Sequence, residues 1–526
     1  MRDLGALDSR VFDVLVVGGG AMGAGAARDA ALRGLAVALV EQHDFAEGTT
    51  SRSTRLIHGG LRYLAQREFG LVRENLRERE ILLRTAPHLV RPLPVYVPLY
   101  RPSVRERARM RAGMLLYDLL SRRKSLPRRS WIPRERLLAL EPGLAPDGLR
   151  GAWRFYDAQC ALVERLVVEN VVDAKRGGAK VLNHAKATGW LREGDAVVGA
   201  EVQDELSGRR VRLRARETVN ATGAWVDITI RGARRGKRPL LRLTKGVHLV
   251  TPPATRHAFL HFHTDGRPIF VLPWLDSSLV GTTDTDFDGD PADATVTESD
   301  IRYLVDAAAR VFPGAPLADV AYAYAGVRAL VDVRGVKAGA VPREHEIRDH
   351  DAADGVSGIV SVVGGKLTAY RGIAQEAVDF VAKRLGSRAR CATKTRPLPG
   401  GGAVDGVRED AAGLGLAPDQ LDRLISVYGA MTRELLTRVE RDPTLAGRIV
   451  SGSAATRVEV VHAIETEDAA TLEDVLLRRT CLGLGRDRAV PLARAVAEFG
   501  GFGADAAVEY AEAASVQRRR ALRVPA

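Results

Sequence analysis

Near the N-terminus the apolar positions run on continuously and do not alternate. Val14-Leu15-Val16-Val17 leads into a glycine turn, an Ala-rich stretch over 21–33 and a second apolar run that closes on Leu39-Val40-Glu41. Continuous runs of strand length suit a sheet buried on both faces, so the predicted order is strand, helix, strand. Leu71, Val72, Leu76, Ile81 and Leu82, set among charges, predict a helix over 71–84; Pro87, Pro92, Pro94 and Pro98 then predict an irregular connection. A Leu- and Val-rich helix after Ala158 and a strand over 179–188 lead to an extended run that ends near Gly223. Between 238 and 345, period-two and short apolar runs (246–250, 268–273, 279–284) predict an antiparallel sheet, and Ile359 to Arg384 returns to strand and helix. Arg396-Pro397-Leu398-Pro399-Gly400-Gly401-Gly402 reads as a linker. Beyond it Leu421, Leu424, Ile425 and Tyr428 fall at the spacing of one buried helical face, and Thr471 with Asp474 reads as a capping box.

The first turn carries chemistry. Gly18, Gly20 and Gly23 hold the G-x-G-x-x-G spacing: the first allows the sharp turn, the second close approach of a pyrophosphate, the third tight packing of helix on strand. Phosphates then sit at the N-terminus of the 21–33 helix, where free N–H groups and the helix dipole favour negative charge. Glu41 falls where a carboxylate accepts hydrogen bonds from an adenosine ribose. The run Thr49-Thr50-Ser51-Arg52-Ser53-Thr54-Arg55-Leu56-Ile57-His58-Gly59-Gly60-Leu61-Arg62-Tyr63-Leu64 can wrap the diphosphate and ribityl chain of a flavin, and a simple nicotinamide domain has no use for it. Val219-Asn220-Ala221-Thr222-Gly223-Ala224-Trp225 and Gly364-Gly365-Lys366-Leu367-Thr368-Ala369-Tyr370-Arg371 follow farther along.

In this order the parts resemble the D-amino-acid-oxidase-like flavoproteins. Leu56 to Leu64 with Gly364 to Arg371 closely resembles the FAD-dependent glycerol-3-phosphate dehydrogenases, and the similarity covers nearly the whole chain, Thr471 to Leu476 included. The resemblance implies FAD held by Gly18, Gly19, Gly20, Met22, Gly23, Glu41, Thr49, Ser51, Thr54, Arg55, Leu56, His58, Gly59, Gly60, Ala221, Thr222, Gly223, Gly364, Gly365, Lys366, Leu367 and Thr368. Met22 departs from the small or polar residue of many relatives but leaves the glycine spacing intact. The expected fold is α/β + α. A Rossmann-type FAD-binding domain, discontinuous over 10–90, 150–225 and 346–390, carries a basic amphipathic insertion at 91–149 and an inserted antiparallel β substrate domain at 226–345. A C-terminal helical domain at 397–526 shows no chemistry.

Oxidising a secondary alcohol through a flavin moves a hydride from carbon while the hydroxyl proton leaves, so an acceptor must meet the hydroxyl and cations must hold a phosphate. By the resemblance, Arg62, Tyr63, His248, Arg328, Lys366 and Thr368 bind glycerol 3-phosphate, with His248, Arg328 and Lys366 catalytic. Their types fit a small phosphorylated polyol better than an amino acid. His248 or Arg328 meets the hydroxyl. An arginine is a poor base, which favours Arg328 stabilising the alkoxide and His248 taking the proton. His58 is open as a second base, a flavin contact or a covalent attachment site; the family motif favours noncovalent contact. His261 and His263 have the alternate spacing of two side chains on one strand face, which could bind a metal; nothing else supports a site there, so they read as structural or surface residues, with no metal site expected.

Bulk properties narrow the partners. The 526 residues, 46% hydrophobic and 27% charged, suit a globular protein of two or three domains. Cys160, Cys391 and Cys481 are odd in number and widely spaced, which implies a reducing compartment without a disulfide framework. No secretory signal and no apolar run of about 18 residues is present, so the expected location is cytoplasmic. The net charge of +13 concentrates between Arg101 and Arg136, where twelve basic residues face three acids around Met110 and Met114 to Leu120. That pattern fits a helix lying on an anionic lipid surface at the inner face of the plasma membrane, with membrane quinone as electron acceptor, or a solvated basic face. No nucleic-acid motif accompanies it. An oxygen-using glycerol-3-phosphate oxidase, an FAD oxidoreductase of another small substrate and a flavin-binding sensor are the rival functions. A second copy of the chain, as a homodimer, is a further candidate partner.

Overall fold

The computed structural model describes residues 4–522, apart from 9, 65, 122, 123, 235–237 and 333–343. From the N-terminus, β1 (Val11–Val17), α1 (Ala21–Leu32) and β2 (Val37–Val40) form the expected unit, followed by β3 (Leu56–Ile57), α2 (Phe69–Thr85), β4 (Val90–Tyr100) and α3 (Val104–Leu120). Next come β5 (Ser130–Pro133), β6 (Leu149–Cys160), α4 (Val163–Arg176), β7 (Lys180–Leu182), β8 (Ala185–Glu193), β9 (Ala196–Asp204) and β10 (Arg210–Asn220). The central sheet contributes β11 (Leu241–Thr251), β12 (Ala258–Phe262), β13 (Pro268–Trp274), β14 (Ser277–Gly281), β15 (Thr285–Asp286), α5 (Glu298–Ala309) and β16 (Tyr322–Val331). The chain returns through β17 (His345–Asp349), β18 (Ile359–Gly364) and α6 (Tyr370–Arg384) to a run of helices.

The first sheet has the order β17-β18-β10-β1-β2-β7, with β8 and β9 as a hairpin on β10. Its centre is parallel: Val14 to Val17 pair with Val37 to Val40 on one side and with Glu217 to Asn220 on the other. Buried alanines of α1 (Ala24, Ala27, Ala31) let α4 and α6 pack closely on this sheet, with Val167, Val171, Ala374 and Val378 in the same core. Small side chains on a helix are what such an approach requires.

The second sheet, β15-β11-β14-β13-β12-β4-β6-β3 with β16 on β11 and β5 on β6, corrects two expectations. β4 pairs with β6 from Val90 to Tyr100, so the predicted boundaries at 90 and 150 run through one sheet, and 91–149 is not a single basic insertion. Pro92, Pro94 and Pro98 sit inside β4 and not in an irregular connection. All three occupy even positions, so their missing N–H groups share one edge, and β12 pairs with that strand only at Val95 and Tyr96. The odd positions keep their donors for β6.

The predicted linker is also packed. Gly400 and Gly401 are buried, Gly400 N–H donates to Glu169 at 2.9 Å, and a Cβ at Gly401 would lie 2.2 Å from the Thr85 carbonyl oxygen. Glycine serves close approach here. The C-terminal helices pack through Leu424, Tyr428 and Leu435 on Val168 and Val172 of α4. Buried ion pairs latch them further: Arg165 to Glu467 at 2.7 Å, and Arg478 and Arg479 each to Asp44 at 2.6 Å. Asp44, His184 and Asp474 lie together, but the two guanidinium groups already supply the cationic partner there. The three cysteines are free thiols.

Candidate functional site

The three glycines of the first turn do separate jobs. Gly18, at φ +106°, would place a Cβ 2.6 Å from the Ala221 carbonyl oxygen, and Gly23 would place one 1.8 Å from the Gly18 carbonyl oxygen. Gly20 meets only Thr50 Oγ1, at 3.4 Å, and so leaves an open face at the start of α1. That face looks into a cavity of about 2970 Å³ walled by both sheets. Thr50 Oγ1 accepts the Ala21 N–H at 3.2 Å, a contact the motif reading did not single out. Glu41 accepts from Gly19 N–H at 2.6 Å and from His43 N–H at 3.0 Å; burial raises its pKa although those bonds favour the carboxylate.

The cavity brings together most of the residues expected at the cofactor. Gly18, Gly20, Met22, Glu41, Thr49, Thr54, Arg55, Leu56, His58, Gly60, Ala221, Thr222, Gly223 and Gly364 to Thr368 line it, and Gly19, Gly23, Ser51 and Gly59 stand behind the wall. Met22 packs on Gly365, where a Cβ would lie 2.7 Å from its terminal methyl.

Several of these side chains are staples of the loop. Arg55 makes two bonds of 2.7 Å to Glu164 and lies 4.4 Å over the Trp274 ring, fully buried, so its charge is spent inside the protein. Thr49 Oγ1 donates to the Val327 carbonyl at 2.6 Å, and the Ser51 hydroxyl to the Ala46 carbonyl. Gly59 N–H donates to Tyr117 Oη at 2.9 Å; that hydroxyl donates in turn to Asp157, which Arg79 holds at 2.7 Å. Tyr117 thereby ties α3 to the loop. Thr368 Oγ1 accepts the His58 N–H at 3.0 Å and joins the loop to the start of α6. Glu164, Asp157, Arg79 and Tyr117 were invisible to motif reading; for Glu164 the available signal was charge inside an apolar run, Leu162-Val163-Glu164-Arg165-Leu166, and Arg79, inside the charged run Arg77-Glu78-Arg79-Glu80, gave none.

At the far end of the cavity β11 and β16 run side by side, with His248 opposite Tyr324. The two rings stack at 5.2 Å, and His248 Nε2 lies 2.8 Å from Thr54 Oγ1. Burial, with Arg328 and then Arg55 nearby, pulls the imidazole pKa down to about 3, so the ring is neutral. Arg328 bonds Asp284 at 3.0 Å and Thr282 Oγ1 at 2.8 Å. It crosses Gly246, where a Cβ would lie 2.1 Å from a guanidinium nitrogen. Lys366 Nζ sits 3.4 Å from the centroid of the Tyr63 ring, a cation–π contact. His58 meets Phe270 edge-on at 6.4 Å. The side chain of Arg62 lies outside the described residues. Two cations, Lys366 and Arg328, and a neutral imidazole line the same cavity as the glycine turn at the start of α1.

Comparison with known proteins bears on this geometry. Residues 13–371 match the family of FAD dependent oxidoreductases, and residues 391–501 match the C-terminal domain of alpha-glycerophosphate oxidase. A glycerol-3-phosphate dehydrogenase of Synechocystis sp. is 39% identical over 504 residues, covering 92% of this chain and 91% of its own. Glycerol-3-phosphate dehydrogenase 2 of Mycobacterium tuberculosis is 38% identical over 505 residues, covering 94% and 85%. Among solved structures, the glycerol-3-phosphate dehydrogenase from Bacillus halodurans complexed with FAD superposes with a TM-score of 0.79 at 28% identity, covering 99% of this chain and 97% of its own.

Proposed function

The chain belongs to the FAD-dependent glycerol-3-phosphate dehydrogenase family, and from that premise we propose that it oxidises sn-glycerol 3-phosphate to dihydroxyacetone phosphate and passes the electrons to membrane quinone. FAD is its cofactor, and the residues present fit it: the open face at Gly20, the N-terminus of α1 and the Glu41 carboxylate line one wall of the cavity. When bound, FAD supplies the hydride acceptor.

One observation carries the substrate reading: the cavity that holds this cradle also holds Lys366, Arg328 and a neutral His248. Lys366 and Arg328 attract a phosphomonoester dianion, and Arg328 also faces charge that grows on the hydroxyl oxygen. His248 takes the hydroxyl proton. Its ring is kept neutral by burial and by nearby cations, and a dianionic substrate offsets that repulsion as it enters, which raises the basicity of the imidazole when it is needed. An anaerobic spectral titration tests the assignment. Bleaching of the flavin by sn-glycerol 3-phosphate is expected; a flavin that stays oxidised with it, yet bleaches with another polyol or an amino acid, refutes it.

The quinone reading rests on α3. Ser103 caps this helix, Arg105, Arg107 and Arg111 are exposed along it, and Leu115 and Leu119 are about half exposed, at 46% and 52%. Met114 and Tyr117 turn inward, so the outward apolar patch is smaller than the sequence implied. No helix among the described residues is long and apolar enough to cross a membrane. The exposed arginines and leucines of α3 support peripheral docking at the inner face of the plasma membrane as the proposed location. The match of residues 391–501 to a domain named for alpha-glycerophosphate oxidase favours a second reading, with oxygen as acceptor.

A further inference from the structure

The cavity continues past the reacting end, around the tips of β4 and β12, onto the opposite face of the second sheet. Ala258 and Phe259 pair in parallel with Val95 and Tyr96. Strand alternation puts His261 on the face of Phe259 and Tyr96, two rings that stack at 5.5 Å; Tyr100 packs against the same cluster, and His263, just past the end of β12, meets the ring of Tyr303, which also packs there, at 5.1 Å. That face packs on Phe312 beyond α5, whereas Val95 and Leu260 look the other way, into the core beneath Tyr63 and Tyr117. Tyr100, His261, His263 and Arg310, the C-cap residue of α5, all line this arm.

Three buried polar atoms of residues lining this arm have no hydrogen-bond partner among the described residues: Tyr100 Oη, His261 Nε2 and His263 Nδ1. His261 is only 5% exposed. Native structures leave few such atoms unsatisfied, and a cluster of them in one recess marks a place for a ligand with several acceptor or donor atoms. The sign of the charge selects the ligand. Arg310 is exposed at the mouth of the arm and makes no ion pair among the described residues. The carboxylates at the rim are engaged elsewhere: Asp147 by Arg101 at 2.5 Å, Asp265 by Arg267 at 3.4 Å and by the Tyr303 hydroxyl at 2.9 Å, and Glu106 by the cap at Ser103. Burial, then His263 and Arg310, outweigh a hydrogen bond to the Phe262 backbone and pull the His261 pKa down to about 4. A cation is disfavoured beside an unpaired guanidinium, and a guanidinium beside a phenol hydroxyl and two imidazole edges without partners suits a tetrahedral oxyanion.

We propose that this arm binds a phosphate group through Arg310, His261, His263 and Tyr100, as a site separate from the substrate pocket. The phosphate is either that of a free phosphomonoester or that of a lipid headgroup, since Arg101 and Arg109, before and on the basic helix, line the same cavity.

The test uses flavin-loaded full-length protein. Inorganic phosphate is titrated calorimetrically into wild type, Arg310→Gln and His261→Phe, and the same proteins are sedimented with vesicles containing phosphatidic acid or neutral lipid only. The proposal expects both variants to keep their flavin, unfolding temperature and reduction by glycerol 3-phosphate. It expects them to lose phosphate affinity about tenfold or more in one arm of the test. Loss in the calorimeter identifies a free phosphate, and loss only on phosphatidic acid vesicles a lipid headgroup. Wild-type behaviour of both variants in both arms overturns the proposal and leaves the recess to ordered water.

Discussion

Replacing Gly20 by alanine separates the flavin cradle from the fold. The backbone there has φ −74°, which alanine adopts freely, and the new Cβ meets only Thr50 Oγ1 at 3.4 Å. Losing glycine at a helix N-cap costs about 1 kcal/mol, so Gly20→Ala is expected to fold. The same change at Gly23 puts a Cβ 1.8 Å from the Gly18 carbonyl oxygen, where backbone has to move. Overpacking of that kind costs about 1–3 kcal/mol or more. Flavin affinity responds differently, because Gly20 faces the cavity and a methyl there holds a diphosphate off the N–H groups that begin α1. Two charge-assisted hydrogen bonds at about 1.5–3 kcal/mol each correspond to a loss of about 10²- to 10⁴-fold in affinity. Apoprotein of each variant is titrated with FAD by flavin fluorescence, with the unfolding temperature of the apoprotein measured alongside. A Gly20→Ala apoprotein that binds FAD with the wild-type Kd would falsify the cradle.

Other perturbations test the remaining parts. Arg328→Ala is expected to slow reduction of the flavin by substrate about 10²-fold with flavin still bound, since it removes a donor needed as charge develops; rapid mixing at the wild-type rate refutes that role. Glu164→Gln leaves the buried Arg55 charge without its carboxylate, 2.7 Å away, and is expected to cost about 3–5 kcal/mol in a denaturant titration; a loss within error shows that the loop does not need the pair. His248 titrates at about 3 folded and near 6.5 unfolded, so the unfolded chain binds the extra proton between those values and stability contributed by the neutral ring is lost as pH falls below 6.5. The stability difference between wild type and His248→Gln is expected to shift against the wild type by up to about 1.4 kcal/mol per pH unit in that window, and a pH-independent difference shows that the histidine titrates normally. Exchanging Arg105, Arg107 and Arg111 for Gln is expected to leave dye reduction intact while weakening co-sedimentation with anionic vesicles and slowing quinone reduction, at up to about 1 kcal/mol for each residue near the lipid. Equal, negligible pelleting of wild type and variant moves the oxygen reading ahead.

What was legible in the sequence was what local geometry dictates. Gly18 and Gly23 declare themselves because a turn and a close helix–strand contact need glycine within a few residues of one another, and Glu41 follows at the end of the next strand. Misreadings arose where a local signal had a nonlocal use. The prolines of β4 look like breakers until β6 supplies a ladder that needs only the odd positions, and the glycines at 400–402 look like slack until Thr85 and Glu169 press against them. The partners that hold the site were out of reach for the same reason. Glu164 lies 109 residues from Arg55, Asp157 lies 78 from Arg79, and Asp284 lies 44 from Arg328. No spacing rule joins such pairs, yet Glu164, between Val163 and Leu166, betrays itself as a charge within a buried segment, and a buried charge must find a partner or neutralise. That inference names which residues are paired without naming their partners. Arg55 shows the consequence: its loop position and type suit a phosphate, but the carboxylate waiting on α4 takes its charge, and the proposed phosphate binding rests on Lys366 and Arg328, which line the cavity, Arg328 with Asp284 3.0 Å away.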